Sequence, residues 1–193
     1  MSSTFLLLEI TDPEVNALLW RMRDLVSGRR SRSAVHLTVR GPYTGAPESD
    51  VMERARKQMA GDVLRIYGAG RFSNPDSEVV FVHVDSPHLR EVWWKPTFPE
   101  FNPHISIYRG PDRKLADVVE HFLNEAKLEV MCAEYRLVWY RSGQRSFFDS
   151  NEPTVSAMQL FEENGRLDSE MLDRLSDTLD AYRNMVRHAA TSD

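Results

Sequence analysis

The sequence predicts an α+β fold: a bilobal, duplicated strand–helix arrangement with antiparallel sheets around a central cleft, plus a C-terminal helical extension. Three observations predict it. Runs of strand formers alternate with amphipathic, helix-spaced segments from Phe5 to Tyr140. A strand–helix unit recurs around two short stretches that rhyme, His36-Leu37-Thr38-Val39 and His104-Ile105-Ser106-Ile107. Composition then shifts toward a helical tail. A chain of 193 residues suffices for one bilobal unit with an appendage, and the expected division is 1–145 and 146–193.

Phe5 to Ile10 reads as a buried opening strand. Thr11-Asp12-Pro13-Glu14 is a helix start, with a cap, a Pro at the first helical position and an acid in the first turn. Val15, Leu18, Leu19, Met22 and Val26 come next at helical spacing, and Gly28 closes the segment. Arg29-Arg30-Ser31-Arg32-Ser33 is a basic linker, either a solvated loop or a phosphate-steering lip. Val35 to Val39 is the first motif strand and Gly41 to Pro47 a turn-rich loop. Glu48 to Ala60 reads as a helix with Val51, Ala55 and Met59 on one face. Val63 to Phe72 is a strand interrupted at Gly68 and Gly70 in the manner of a bulge, and Glu78 to Val84 is its hairpin partner. Ser86-Pro87 starts a short helix through Trp94, with Ser86 as cap. A proline-rich loop carries Phe98 and Phe101 to the second motif strand, His104 to Tyr108. Asp112 to Ala126 is a helix that buries Leu115, Val118, Val119, Phe122 and Leu123, and Leu128 to Tyr140 holds strand material. In the tail, Leu172, Leu175, Leu179, Tyr182 and Val186 make a heptad-like seam. That seam either docks on the chain's own core or offers a homodimer or partner contact.

Composition narrows the function. A net charge of −5 argues against a large basic groove for long nucleic acid. It leaves room for a small nucleotide or a short oligonucleotide end held by a few Arg. Cys132 is the single cysteine, so neither an intramolecular disulfide nor a cysteine metal cluster can form within the chain. The apolar run at Phe5 is too short for a signal peptide or a membrane span, so no membrane contact and a cytoplasmic location are the expectation.

The twin motifs carry the chemistry. In a strand, residues two apart share a face. His36 and Thr38 therefore point one way, as do His104 and Ser106, with Leu37, Val39, Ile105 and Ile107 turned to a core. Breaking a phosphodiester needs a base, an acid and stabilisation of charge on the phosphoryl oxygens. Two imidazoles on opposite sides of a phosphorus can supply base and acid at once. A hydroxyl about 7 Å along the same strand face can donate to a non-bridging oxygen. Neither role calls for a metal or a cofactor. Continuing the alternation puts Arg40 beside His36 and Thr38, and Tyr108 beside His104 and Ser106, as substrate-binding residues for phosphate or a base. Arg109 falls on the opposite face of a regular strand. By background composition roughly 5% of His residues would match His-x-Ser/Thr-apolar. One match among six His means little; two in strands, each followed by Gly-Pro, mean more.

On these residues the chain resembles the 2H phosphoesterase superfamily, whose members include RNA 2′,5′-ligase-like proteins, 2′,3′-cyclic phosphodiesterases and enzymes that cut 2′–5′ oligonucleotides. The resemblance rests on His36-x-Thr38-x and His104-x-Ser106-x, their separation and the strand–helix duplication, and covers Met1 to Tyr140. It implies a central cleft, His36 and His104 as general base and acid in an order the sequence leaves open, Thr38 and Ser106 on the phosphoryl oxygens, and no metal. The implied substrate is a cyclic phosphate or a 2′–5′ linked nucleotide or RNA end. Two alternatives stand beside hydrolysis: a nucleotide-sensing module without turnover, and a 2′–5′ RNA ligase running the reverse reaction.

Other groups compete for a role. His83, Asp85 and His88 suggest a metal site only weakly, because His88 lies past Pro87. Tyr43, Trp94 and Phe101 flank the motif strands and are expected to line the cleft, with Trp94 a candidate base platform, against the alternative that they pack structurally. Walker, dinucleotide and His-Glu-x-x-His patterns do not occur.

Overall fold

Leu6, Leu8 and Ile10 project from one side of a strand into the interior, and each is essentially fully buried. That strand, β1 (Thr4–Ile10), lies at the centre of a three-stranded antiparallel sheet, between β2 (His36–Tyr43) and β7 (Tyr135–Arg141). The computed structural model describes residues 3–28, 33–43, 48–93, 100–141 and 167–191. Arg29, Arg30, Arg32, Trp94, Phe98 and the expected boundary at 145 lie outside the described residues. A second antiparallel sheet runs β5-β4-β3-β6, comprising β3 (Leu64–Asn74), β4 (Ser77–Asp85), β5 (His104–Gly110) and β6 (Glu129–Cys132). This is the expected α+β architecture, with two antiparallel sheets and a C-terminal helix.

Local sequence sets the helices. In α1 (Pro13–Ser27), the Asp12 carboxylate accepts from the Glu14 and Val15 amides, and Gly28 ends the helix at φ 62°. A cap of this kind contributes about 1 kcal/mol. In α2 (Val51–Gln58), Val51 and Ala55 are buried, with Met59 just beyond. In α4 (Arg113–Glu125), Asp112 caps through the Leu115 amide; Leu115, Ala116, Val119 and Leu123 are buried, while Val118 and Phe122 are half-buried. The apolar faces of these helices and the inner faces of both sheets form one hydrophobic core.

One expectation needs correction. The helix expected from Ser86 to Trp94 is a single turn, α3 (Leu89–Val92), with His88 as its cap. The reason is distant in sequence: the Ser86 hydroxyl is taken by the buried Asp62 carboxylate at 2.9 Å, so it does not cap the helix. The strand material expected from Leu128 to Tyr140 is present as two strands in different sheets, because Ala133 and Glu134 carry the chain across from β6 to β7.

Asp62 also accepts from the His88 amide at 3.1 Å and pairs with His88 Nδ1 at 2.7 Å. Burial alone would push the Asp62 carboxyl up, but the hydrogen bonds from His88 and Ser86 outweigh it and hold it below the ordinary carboxylate range. The same hydrogen bond and charge raise His88. A raised imidazole contributes stability in full below its unfolded pKa and loses it as pH rises through the folded value; the lowered carboxyl loses its share only as pH falls through its own folded value. The His88→Gln variant should therefore lose thermal stability near about pH 6 and converge on the native chain near about pH 9. Equal losses in melting temperature at both pH values would contradict a charged pair.

The tail helix α5 (Leu167–Ala190) packs on α1, with Met171, Leu175 and Leu179 buried and Leu172 and Tyr182 half-buried. Burying three such side chains contributes roughly 5–8 kcal/mol before ordering costs, far more than surface ion pairs on the same helix. Most of the seam that offered a partner contact is thus spent on the chain's own core; Val186, with its neighbour Met185, stays exposed. Among the described residues, no helix is long and apolar enough to cross a membrane.

Candidate functional site

The two motif strands are the edges of their sheets, and β2 and β5 pack against each other. Both sheets turn Leu37, Val39, Ile105, Val80 and Val82 to the common core. The alternate residues face the other way. In the first sheet Thr38 pairs with Leu7 and His36 with Glu9. In the second, His104 pairs with His83 and Ser106 with Phe81. The two His–hydroxyl pairs thus stand on the faces turned from the core, at the seam between the sheets.

The imidazoles are held in the same way. His36 Nδ1 lies 2.7 Å from the Ala34 carbonyl oxygen, and His104 Nδ1 lies 2.7 Å from the Asn102 carbonyl oxygen. A carbonyl can only accept, so each Nδ1 carries a proton and donates it. In both rings Nε2 is the nitrogen not tied to the main chain. In each motif the orienting group is the main chain two residues upstream.

The strands share a second feature that alternation alone does not reveal. In β2, Leu7 faces Thr38 while the adjacent Leu6 faces Arg40, so an extra residue enters at Val39. In β5, Phe81 faces Ser106 while Val80 faces Tyr108, so an extra residue enters at Ile107. Each bulge sits one residue after the hydroxyl. A bulge swaps the faces of the residues downstream of it.

This overturns the expected placement of Arg40 and Tyr108. Arg40 lies on the core side with Leu6, beside a 170 Å³ pocket formed with Val51, Ala55 and Val92. Its guanidinium sits 5.5 Å from the Tyr43 ring centre. Tyr43 pairs with Thr4 and packs edge-on against Trp139 on that same side. Its hydroxyl is buried with no hydrogen-bond partner among the described residues. Tyr108 is buried in the core, where its hydroxyl accepts from the Asp112 amide at 3.1 Å and braces the start of α4. The bulge that removes Tyr108 brings in Arg109, which pairs with Val79 on the His104 face and is exposed. Phe101 is occupied elsewhere, between Trp93 at 5.0 Å and the Arg90 guanidinium at 4.4 Å.

The environment of His104 is aromatic. Phe81 and Phe72 lie 4.7 and 5.1 Å away between ring centres. Burial lowers the His104 pKa, and the nearby His83 and Arg109 lower it further against the Asn102 hydrogen bond, which raises it. His104 thus favours the neutral imidazole. His83 and Asp85 share the His104 face, whereas the His88 ring is engaged by Asp62. Comparison of the chain with protein-family models, curated proteins and solved structures finds no match.

Proposed function

We propose that the protein is a metal-independent phosphodiesterase in which His36 and His104 work as an acid–base pair across one phosphorus. The substrate is a cyclic phosphate or a 2′–5′ linked nucleotide or RNA end. The observation that carries this reading is the twofold repetition of one device: Nδ1 tied to the main chain two residues upstream, a hydroxyl two residues downstream on the same face, then a bulge. A fold that needed only a polar surface would not need two imidazoles presented with the same free nitrogen. The resemblance to the 2H phosphoesterases supports the same reading.

His104, favoured as the neutral imidazole with Nε2 unprotonated, is suited to the base. His104 takes the proton of the attacking water or adjacent ribose hydroxyl, and His36, acting in its protonated form, gives its own Nε2 proton to the leaving oxygen. Thr38 and Ser106 donate to the non-bridging oxygens, and Arg109 adds charge on the Ser106 side. Arg40 and Tyr43 bind no substrate in this scheme, because they lie behind the sheet.

The test is a screen of 2′,3′-cyclic nucleotides, 2′–5′ and 3′–5′ dinucleotides and cyclic oligonucleotides, each with and without a chelator. Turnover of at least one diester, unchanged by chelation, is the expected result. Activity that disappears on chelation, or binding without product from every diester, would sink it.

A further inference from the structure

On the face that carries His104, the β3–β4 hairpin presents a patch that the acid–base scheme leaves unused. His83 is the cross-strand neighbour of His104, and Tyr67 is the neighbour of His83. The Tyr67 and His83 rings stack at 5.6 Å, and His83 meets Phe81 edge-on at 5.3 Å. Phe81 is buried beneath this group, and Phe72 lies 4.5 Å from it with 39% of its surface exposed. Among the described residues, neither the His83 ring nitrogens nor the Tyr67 hydroxyl has a hydrogen-bond partner, although both side chains are only half-buried.

The patch is built rigidly. A Cβ on Gly70 would lie 2.8 Å from the Phe81 ring and 3.2 Å from His83 Nε2, so the rings fill the space a side chain would take. The bulge beside Gly70 is satisfied by the Asn124 side-chain oxygen, which accepts from the Ala69 amide at 2.9 Å. Arg71 ties the hairpin to α4 through Asp117 and Glu120.

We propose that Phe72, His83 and Tyr67 form a nucleobase subsite flanking His104, with the Phe72 ring as the stacking face and the His83 and Tyr67 edges as hydrogen-bonding groups. The inference rests on the phosphodiesterase reading and deepens it: the substrate carries a heterocyclic base that reaches over the second sheet. A second phosphate does not suit the patch. Arg65, the cation at its far end, is held by Glu129 at 2.8 Å and faces Asp85 across the strands. Those carboxylates would repel an anion and tolerate a neutral, hydrogen-bonding ring.

The experiment is a binding titration that does not depend on turnover. Nucleoside 3′-monophosphates of all four bases and inorganic phosphate are titrated into the native chain and into Phe72→Leu, Tyr67→Phe and His83→Ala, with folding checked by circular dichroism. Phe72→Leu is expected to weaken nucleotide binding about tenfold while leaving inorganic phosphate unchanged. Tyr67→Phe, which removes one oxygen and keeps the packing, is expected to change the ranking of the four bases. Nucleotide affinity unchanged in all three variants would overturn the proposal, as would equal weakening toward nucleotide and inorganic phosphate, or a native chain that binds no nucleotide. The two readings fail separately. Base-dependent binding through these residues without cleavage of any diester removes the phosphodiesterase reading alone; cleavage with unmoved variants removes the subsite alone.

Discussion

Alanine in place of either His36 or His104 should lower kcat by about 10²–10⁴-fold, because each substitution removes one partner of the proposed proton transfer. The double variant should be little worse than the poorer single one, since two residues acting as a unit do not add. Thr38→Ala and Ser106→Ala remove one hydrogen-bond donor each and should cost about 10²-fold. Steady-state kinetics on any diester the native chain cleaves, with circular dichroism as the folding control, checks all four. Full activity in either His variant would end the acid–base assignment. The pH profile gives the sign independently. In the proposed scheme His104 acts unprotonated, and burial, with the nearby His83 and Arg109 charges, lowers its pKa. The acid limb of kcat/KM should therefore fall below the ordinary imidazole value, and Arg109→Gln should move it upward.

Gly41→Ala should be among the most destabilising substitutions in the first motif. Gly41 has φ 115°, and a Cβ there would meet the Thr4 carbonyl oxygen at 2.8 Å and the Phe5 Cα at 3.1 Å. Both contacts are with backbone of the central strand, which cannot step aside as a flexible side chain could. Strain at such a position costs about 1–3 kcal/mol, and the overlap adds to it. A fall in melting temperature of roughly 6–12 °C is expected for a chain of this size. Gly28→Ala is the control. Its φ is also positive, at 62°, but nothing lies within 4 Å of the added Cβ. Only the conformational cost of about 1–2 kcal/mol should appear. Equal losses at the two glycines would show that contact with β1 is not what matters at Gly41.

Much of the architecture was legible in the sequence. The Asp12 cap, the Gly28 stop and the apolar stripe of α1 are local signals, and so is the alternation that put His36 with Thr38 and His104 with Ser106. What the sequence hid is non-local. Alternation continues unbroken through Val39-Arg40 and Ile107-Tyr108, so nothing in the letters announces the bulges. They show only in the register against β1 and β4, and they decide that Arg109, not Arg40 or Tyr108, shares the site face. Ser86 looked like a helix cap because its true partner, Asp62, comes from a distant turn. The unused patch was equally opaque, since Tyr67, Phe72 and His83 come together only when β3 and β4 pair around Gly70.

The main-chain tethers on His36 and His104 have a consequence for heredity. Because the acceptors are the carbonyls of Ala34 and Asn102, no codon change at either position can delete them. On the proposed reading a saturation scan would mark the two histidines as intolerant and pass over their orienters as neutral, although both tautomers depend on them. The information that aims the rings is stored in the path of the chain, so a copy of the motif could drift at almost every flanking letter and still aim true. Detecting the tethers experimentally calls for chemistry on the backbone itself. An ester in place of the Ala34–Val35 peptide weakens that carbonyl as an acceptor and leaves every side chain as it was.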